Sequence, residues 1–555
     1  MRQIDRLTVE NYAVPSLLLM EQAANACLQA IAGRFEEGLR SKRVLVLCGP
    51  GNNGGDGAAL ARTLCGVDVH SDVILFGKIE DTKGDARANF EAVRRLASYE
   101  AGTMDGPSPI SFHECVSVQD WEEVARPRRT YDIVIDALFG TGLVRPLEGV
   151  YVQVIQHLAV LRNARERARG TKPLILSIDI PSGLNADRSD PIGEAVTADL
   201  TVTFTAPKPA NVLPPASNFA GELVVADIGS PSALIEAAGP TLFVTESQDA
   251  RKWLELTRYR AESYKNTHGH VLIIAGSRDY SGAAALCGDA SMRSGAGLVT
   301  IATPASAQGL VAARAMPEVM TTALRETDRG VVSDEAADHV KRLAAKATVL
   351  AIGPGLTAND ERTKKFVRLV VEQRTTPIVI DADGLNCLSP WPSELKGSVE
   401  KPLIVTPHPG EMLRLLGTED KKALTDRVSA ARDFARQQNV IVVLKGSRSL
   451  IAAPDGRVVV NPTGNAGLGT AGAGDTLTGV ITGFLAQAFA TLKGEADAFS
   501  TTVAALYVSG LAGDLAARHS GMRTMIASDI REHLSDAIRM LDPEGETPSQ
   551  SITPS

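Results

Sequence analysis

The chain reads as an α/β protein of two domains, each built on a mainly parallel sheet covered by helices. Three observations predict this. Short, nearly continuous β-branched runs alternate with helical stripes, once in each half of the chain. Several of these runs end directly in a glycine-rich turn or an aspartate, where an open α/β sheet puts its ligand crevice. A length of 555 residues is too great for one core.

The first block runs over residues 1–230 and opens on a helix with apolar residues at Leu17, Met20, Ala24, Cys27 and Ile31. Its predicted strands are 44–47, 73–76, 133–135, 174–178, 201–204 and 223–226, which a doubly wound three-layer sandwich accommodates. Residues 231–244 are the predicted linker. The second block spans 245–541, with strands at 271–274, 298–301, 349–352, 378–380, 403–405 and 441–444. A hairpin follows, 449–452 and 458–460, turning at Pro454-Asp455-Gly456. Long apolar helices over 475–488 and 501–517 close the block. The segment 542–555, rich in Pro, Ser, Thr and Glu, is predicted to be disordered.

Composition excludes several functions. A net charge of -8 and 4% aromatics give neither a phosphate-backbone surface nor stacking platforms, so no nucleic-acid partner is expected. No apolar run approaches the ~20 residues of a membrane span, and no apolar stretch follows the N-terminal charges, so neither membrane nor signal peptide is expected. The six cysteines lack CxxC spacing, as befits reduced thiols in a cytoplasmic protein. Apolar surface helices predict a homo-oligomer of unspecified order.

The first functional constellation is Gly49-Pro-Gly-Asn-Asn-Gly-Gly-Asp-Gly57, which follows a strand and opens a helix. Glycines let the backbone approach a ligand, and the helix start offers free N–H groups to an anion such as pyrophosphate. It lacks the GxGxxG pattern, so ordinary hydride-transfer chemistry is not expected. Two more strand ends carry Asp136-Ala-Leu-Phe-Gly-Thr-Gly142 and Asp179-Ile-Pro-Ser-Gly-Leu184. All three should face one pocket. Oxygen ligands from Asn53, Asp136 and Ser182 would suit a hard cation, with K⁺, Na⁺ and Mg²⁺ left open.

GPGNNGGDG, DALFGTG, SIDIPSGLNAD and TFTAPKP, in this order, resemble the YjeF N-terminal domain, the NAD(P)HX epimerase, with a Rossmann-like fold. The resemblance implies interconversion of the R and S epimers of hydrated NADH and NADPH. The substrate would lie against Asn52, Asn53, Gly54, Gly55 and Asp56, and against Gly140, Thr141, Gly142, Leu143, Val144, Arg145 and Pro146. Asp179 would also contact it, and potassium would sit on Asn53, Asp136 and Ser182. Epimerisation needs a carboxylate that shuttles a proton. Asp179 is preferred for that and Asp136 as metal ligand, although the residues alone leave these two catalytic roles open.

In the second block the run Gly464 to Gly479 contains Gly469-Thr-Ala-Gly-Ala-Gly-Asp475 directly before a long apolar helix. Backbone N–H groups of 471–474 can form an anion hole, and Asp475 beside them can take a proton from a hydroxyl that attacks a phosphoryl group. Lys445, Gly446, Ser447, Arg448 and Ser449 offer cationic and hydroxyl groups to nucleotide phosphates. His408 lies between two prolines on a rigid turn, and Gly355 permits close backbone approach to a dinucleotide.

The GAGD turn is similar to that of ribokinase-like kinases. With the segments at 276–284, 293–300, 353–356, 381–386 and 406–412 and Lys445-Gly-Ser-Arg, the block resembles the ADP- or ATP-dependent NAD(P)HX dehydratase. This implies a ribokinase-like fold and substrate contacts at Ala283, Gly355, His408 and Asp475. It implies nucleotide contacts at Lys445–Ser449 and Gly474, with Mg²⁺ and ADP (or ATP) as phosphoryl donor; Glu411 and Asn386 are candidate Mg²⁺ or phosphate helpers. The implied reaction phosphorylates the hydrate's hydroxyl and then eliminates phosphate, giving NAD(P)H and AMP. Two alternatives predict differently. A hydroxymethylpyrimidine or sugar kinase would release a stable phosphorylated product, and a non-catalytic nucleotide-sensing adaptor would tolerate Asp475→Asn.

Overall fold

The computed structural model describes residues 1–98, 109–125, 130–167 and 173–543. The chain divides into two compact units, Met1–Pro240 and Thr241–Ser555.

Among its described residues the first unit carries seven parallel strands: β1 (Arg43–Cys48), β2 (His70–Phe76), β3 (Ile110–Cys115), β4 (Ile133–Ala137), β5 (Leu174–Ile178), β6 (Leu200–Phe204) and β7 (Glu222–Ala226). Their order is β3-β2-β1-β4-β5-β6-β7, so the winding reverses between β1 and β4. A crevice opens there because the loops after those strands leave in opposite directions. Alternate residues supply the two faces. Val44, Val46 and Cys48 pack beneath the helix Ser16–Ala32, while Leu45 and Leu47 pack with Val154 and Leu158 on the other side. Buried on both faces, β1 and β4 show no polar alternation, which is why they were legible as continuous apolar runs.

Among its described residues the second unit carries ten strands: β8 (Leu242–Val244), β9 (His270–Ile274), β10 (Leu298–Pro304), β11 (Met320–Leu324), β12 (Val349–Ile352), β13 (Ile378–Ile380), β14 (Leu403–Val405), β15 (Ile441–Leu444), β16 (Leu450–Ala452) and β17 (Val458–Val460). The order is β11-β10-β9-β12-β13-β14-β15-β16-β17-β8. Among these strands, pairing is antiparallel between β15 and β16 and between β16 and β17, and parallel elsewhere. The helix Ala473–Thr491 crosses Ser281–Arg293 at close range. A Cβ on Gly479 would lie 2.2 Å from the Cys287 carbonyl oxygen, so this crossing demands glycine. Trp253 stacks on Phe484 with ring centroids 4.1 Å apart, tying the unit's first helix to the same core.

The structure adds elements that the sequence pattern did not disclose. β3 and β11 are edge strands with half-exposed, polar-rich faces. The helix Arg2–Tyr12 buries only Ile4 and Thr8, too thin a stripe to stand out. Residues 231–244, read as a linker, hold the helix Ser232–Ala237 and β8, which covers the free edge of β17. Of the segment expected to be disordered, Asp542 is held by Arg258 at 2.5 Å, and residues 544–555 lie outside those described. Among the described residues no helix is long and apolar enough to cross a membrane.

Candidate active sites

In the first unit a cavity of about 720 Å³ lies over the ends of β1, β4, β5 and β6. Its walls depend on turns that only glycine permits. A Cβ on Gly49 would sit 1.9 Å from the Leu138 carbonyl oxygen, so the turns after β1 and β4 touch backbone to backbone. Asn52, Asn53 and Asp56 line the cavity, as do Gly140, Thr141 and Gly142. Gly54 and Gly55 are buried behind it, where their missing side chains admit Gly49 and Ala86. Leu143 turns into the core, and Val144, Arg145 and Pro146 stand exposed beyond the lining.

Asp136 is fully buried at the end of β4, in register with Ser177. Its carboxylate accepts from the Ser177 hydroxyl (2.7 Å), the Ser182 hydroxyl (2.6 Å), the Ser182 N–H (2.9 Å) and the Leu138 N–H (3.4 Å). Burial raises its pKa above the ordinary carboxylate range, against the pull of those donors. Ser182 in turn accepts from the Phe139 N–H at 2.9 Å, so Asp136 organises the turn around itself. The Asn53 amide is packed against Gly140, and its Nδ2 is buried without a hydrogen-bond partner. Amide nitrogen and oxygen exchange by a flip, so this orphaned group can face a cation with oxygen.

Asp179 follows β5 with φ of 67°, which turns its carboxylate into the cavity. Oδ1 accepts from Lys208 Nζ at 2.6 Å and from the Thr203 hydroxyl at 3.0 Å. Lys208 also donates to Thr203 Oγ1 and the Phe204 carbonyl, so its buried ammonium is fully engaged. Lys208 was missed as a site residue, although a lysine in TFTAPKP behind an apolar strand was the available signal. Asp56 lies nearby. Burial, then the charges of Asp179 and Asp5, push its carboxyl well above the ordinary range. Asp5, from the unpredicted first helix, also lines the cavity and is itself raised by burial.

In the second unit four adjacent strands, β12 to β15, lead into the turns that carry Gly355, Asp381, His408 and Lys445. After β12, Gly355 has φ of 67°, and a Cβ there would reach 2.8 Å from the Tyr280 carbonyl and 3.2 Å from Ala283, so Ala283 and Gly355 adjoin. After β14, His408 caps the helix Pro409–Leu415. Its Nδ1 accepts from Gly410 N–H at 3.0 Å, while Glu411 accepts from the His408 N–H at 2.8 Å. The imidazole thus has a structural task, with Nε2 on its exposed side 3.6 Å from Glu411 Oε1. After β15, Lys445 Nζ reaches Asp381 Oδ1 at 2.7 Å and Glu411 Oε2 at 3.9 Å.

Gly472, with φ of 85°, starts the helix Ala473–Thr491 and places Asp475 in its first turn. A Cβ on Gly472 would meet Leu286 at 2.5 Å. First-turn N–H groups lack intrahelical partners and stay available to an anion. The Asp475 carboxyl is pushed up to about 7, first by burial and then by Asp381, with Lys445 opposing. A carboxylate that strong as a base suits proton abstraction from an alcohol near neutral pH. Downstream of Lys445, Gly446 has φ of 149° and Arg448 φ of 54°. Ser449 donates to the Gly446 carbonyl at 3.1 Å, Arg448 to the Pro462 carbonyl and Arg427 to the Ser447 carbonyl at 3.0 Å. Arg427 stands apart in the sequence and was missed; only the fold brings it under this loop. Asn386 donates to Asp383 at 3.3 Å and accepts from Arg414 at 2.8 Å. Among the described residues no cluster of three His, Cys, Asp or Glu side chains could by itself hold a metal ion.

Comparison with known proteins matches one family to each unit. The family described as NAD(P)H-hydrate dehydratase matches residues 271–536, and that described as YjeF-related protein N-terminus matches residues 16–210. The chain is 38% identical to the bifunctional NAD(P)H-hydrate repair enzyme of Moorella thermoacetica, over 99% of this chain and 97% of that protein. It is 35% identical to the one of Thermofilum pendens, again over 99% and 97%. Among solved structures, the ADP/ATP-dependent NAD(P)H-hydrate dehydratase from Bacillus subtilis, co-crystallised with ATP and Mg²⁺, is 30% identical. It covers 54% of this chain and 98% of its own, with a TM-score of 0.45.

Proposed function

The chain belongs to the family of bifunctional NAD(P)H-hydrate repair enzymes, and from that premise we propose that it restores hydrated NADH and NADPH in two steps. The first unit interconverts the R and S epimers, and the second dehydrates the S epimer with ADP (or ATP) as phosphoryl donor. The observation that carries the reading is the placement of Asp475 in the first turn of a glycine-opened helix, with Lys445 and Asp381 directly beside that turn.

In the dehydratase step Asp475 takes the proton of the hydrate's hydroxyl as its oxygen attacks the terminal phosphorus of the nucleotide. The bond to the nucleotide's bridging oxygen breaks, releasing AMP when ADP is the donor. The ring carbon–oxygen bond then breaks, phosphate leaves with the electron pair, and loss of a ring proton restores the dihydronicotinamide. Ala283 and Gly355 leave room for the dinucleotide, and the exposed Nε2 of His408 is its proposed contact. Lys445–Ser449 and the Gly474 N–H hold the nucleotide phosphates. Glu411 and Asn386 are already committed to protein hydrogen bonds, so neither is assigned to magnesium, which when bound with the nucleotide would supply charge neutralisation for phosphoryl transfer.

In the epimerase step the substrate lies in the cavity over Asn52, Asn53, Asp56 and Gly140 to Gly142. Asp179 is the proposed proton shuttle, with Lys208 fixing its orientation. The orphaned Asn53 amide and the oxygens of Ser182 and Asp136 fit a potassium ion, whose charge would steady the adjoining turns. Asp136 has four donors on it, so it would contribute mainly by charge and by orienting Ser182. Incubation with mixed NADHX epimers, ADP, K⁺ and Mg²⁺, followed at the NADH absorbance band, tests the reading. Full recovery is expected. Recovery limited to the S fraction would remove the epimerase, and none with ADP or ATP would remove the whole proposal.

A further inference from the structure

Asp381 directly follows β13 and is 1% exposed, yet the proposed reaction gives it no part. It is followed by Ala382 at φ 50° and ψ −120°, a conformation strained for any residue with a Cβ. Around that strained alanine the chain sends Asp381 under the Gly472–Asp475 turn and Asp383 towards Thr357 and Asn386. Both Asp381 oxygens are committed. Oδ1 accepts from Lys445 Nζ at 2.7 Å, and Oδ2 accepts from the Thr478 hydroxyl at 2.8 Å. Thr478 lies three residues after Asp475, on the same helical face. A Cβ on Gly474 would stand 3.5 Å from Lys445 Nζ and 3.8 Å from Asp381 Oδ2, so the pair lies directly beneath the turn that carries Asp475.

We propose that Asp381 is a positioning residue for proton transfer at Asp475: it pins Lys445 and Thr478 and sets a fixed negative charge behind the base. This rests on the proposed dehydration. Lys445 alone, facing Asp475, would stabilise the carboxylate and weaken it as a base. Asp381 engages that ammonium and adds a like charge, which keeps Asp475 basic. The other ionisable groups around Asp475 are Asp383, Glu411 through its contact with Lys445, and the buried Cys287 thiol on the crossing helix. Asp289, on the same helix as Cys287, is paired with Arg531 at 2.7 Å.

The test is the pH dependence of kcat/KM for S-epimer dehydration by the full chain. Asp381→Asn keeps the shape and removes the charge, so its acid limb should move down by about one pH unit. Lys445→Met removes the opposing cation, so its limb should move up. A merely structural Asp381 would lower activity without moving the limb, and limbs unmoved in both variants overturn the proposal. The thermal melting transition of the second unit, which holds both positions, reports whether each variant is folded. Should Asp381→Asn fail to fold, an unmoved limb in Lys445→Met still overturns it. If the wild type dehydrates nothing, the proposed function fails separately. The Asp475 carboxyl titration by NMR in wild type and Asp381→Asn then decides for Asp381, an unshifted titration being the adverse result.

Discussion

Lys208 Nζ lies 2.6 Å from Asp179 Oδ1, an ion pair with both partners buried at the wall of the first unit's cavity. The lysine comes from the loop after β6 and the aspartate from the end of β5. Replacing Lys208 by Met should strand the Asp179 charge and cost about 3–5 kcal/mol of stability in this unit. A thermal melt reads the loss directly. With mixed epimers and ADP, recovery should stop at the S fraction, because the second unit keeps its own core. Full recovery by Lys208→Met would show that the pair does not serve the epimerase.

Asp475→Asn should lower dehydration by about 10²–10⁴-fold, the range for loss of a positioned acid–base group. The wild-type kcat/KM should rise with pH and level off above about 7, since the base must be unprotonated. The stability sign is opposite. A folded-state carboxyl near 7, against an ordinary value of 3.8, binds a proton in the native state that the unfolded chain has released. Stability from this group is therefore full below the lower value and lost as pH rises towards 7. Asp475→Asn should melt higher than wild type at pH 8 and nearly equal to it at pH 4.

Exchanging K⁺ for a bulky organic cation should slow R-epimer conversion and leave S-epimer dehydration unchanged. Asn53→Ala should abolish the difference between the two salts, because it removes the orphaned amide. Two separate coupled assays suffice, and an Asn53→Ala enzyme that still responds to K⁺ would place the cation elsewhere.

Gly49→Ala should disable the first unit by geometry. The new methyl would sit 1.9 Å from the Leu138 carbonyl oxygen, a backbone atom that cannot swing aside. Loss of epimerisation with retained S-epimer dehydration is the expected pattern in the same protein sample.

Much of this protein is legible in its residues. Strands buried on both faces, such as β1, β4, β9 and β12, announce themselves as apolar runs, because each residue meets a core on one side or the other. The glycine-rich turns at 49–57 and 472–474 also declare themselves: Gly49 and Gly54 touch backbone that no Cβ could meet, and Gly472 holds a left-handed φ of 85°. Edge elements are poorly legible. β3, β11, β8 and the helix Arg2–Tyr12 each bury too little surface to impose a pattern.

Which groups act on one another is a different kind of information. By itself the sequence determined two α/β units, the strand ends that carry Asp136 and Asp179, the glycine-opened helix start that carries Asp475, and the family. Only the tertiary structure decided that Lys208 answers Asp179, that Asp381 holds Lys445 beneath Asp475, and that Arg427 supports the loop after Lys445. It also decided that His408 caps a helix and that Val144 to Pro146 stand outside the cavity lining. Local sequence specifies which residue may occupy a turn. The charge a carboxylate feels depends on burial and on groups that parallel strand order brings within 3 Å from 29 to 97 positions away.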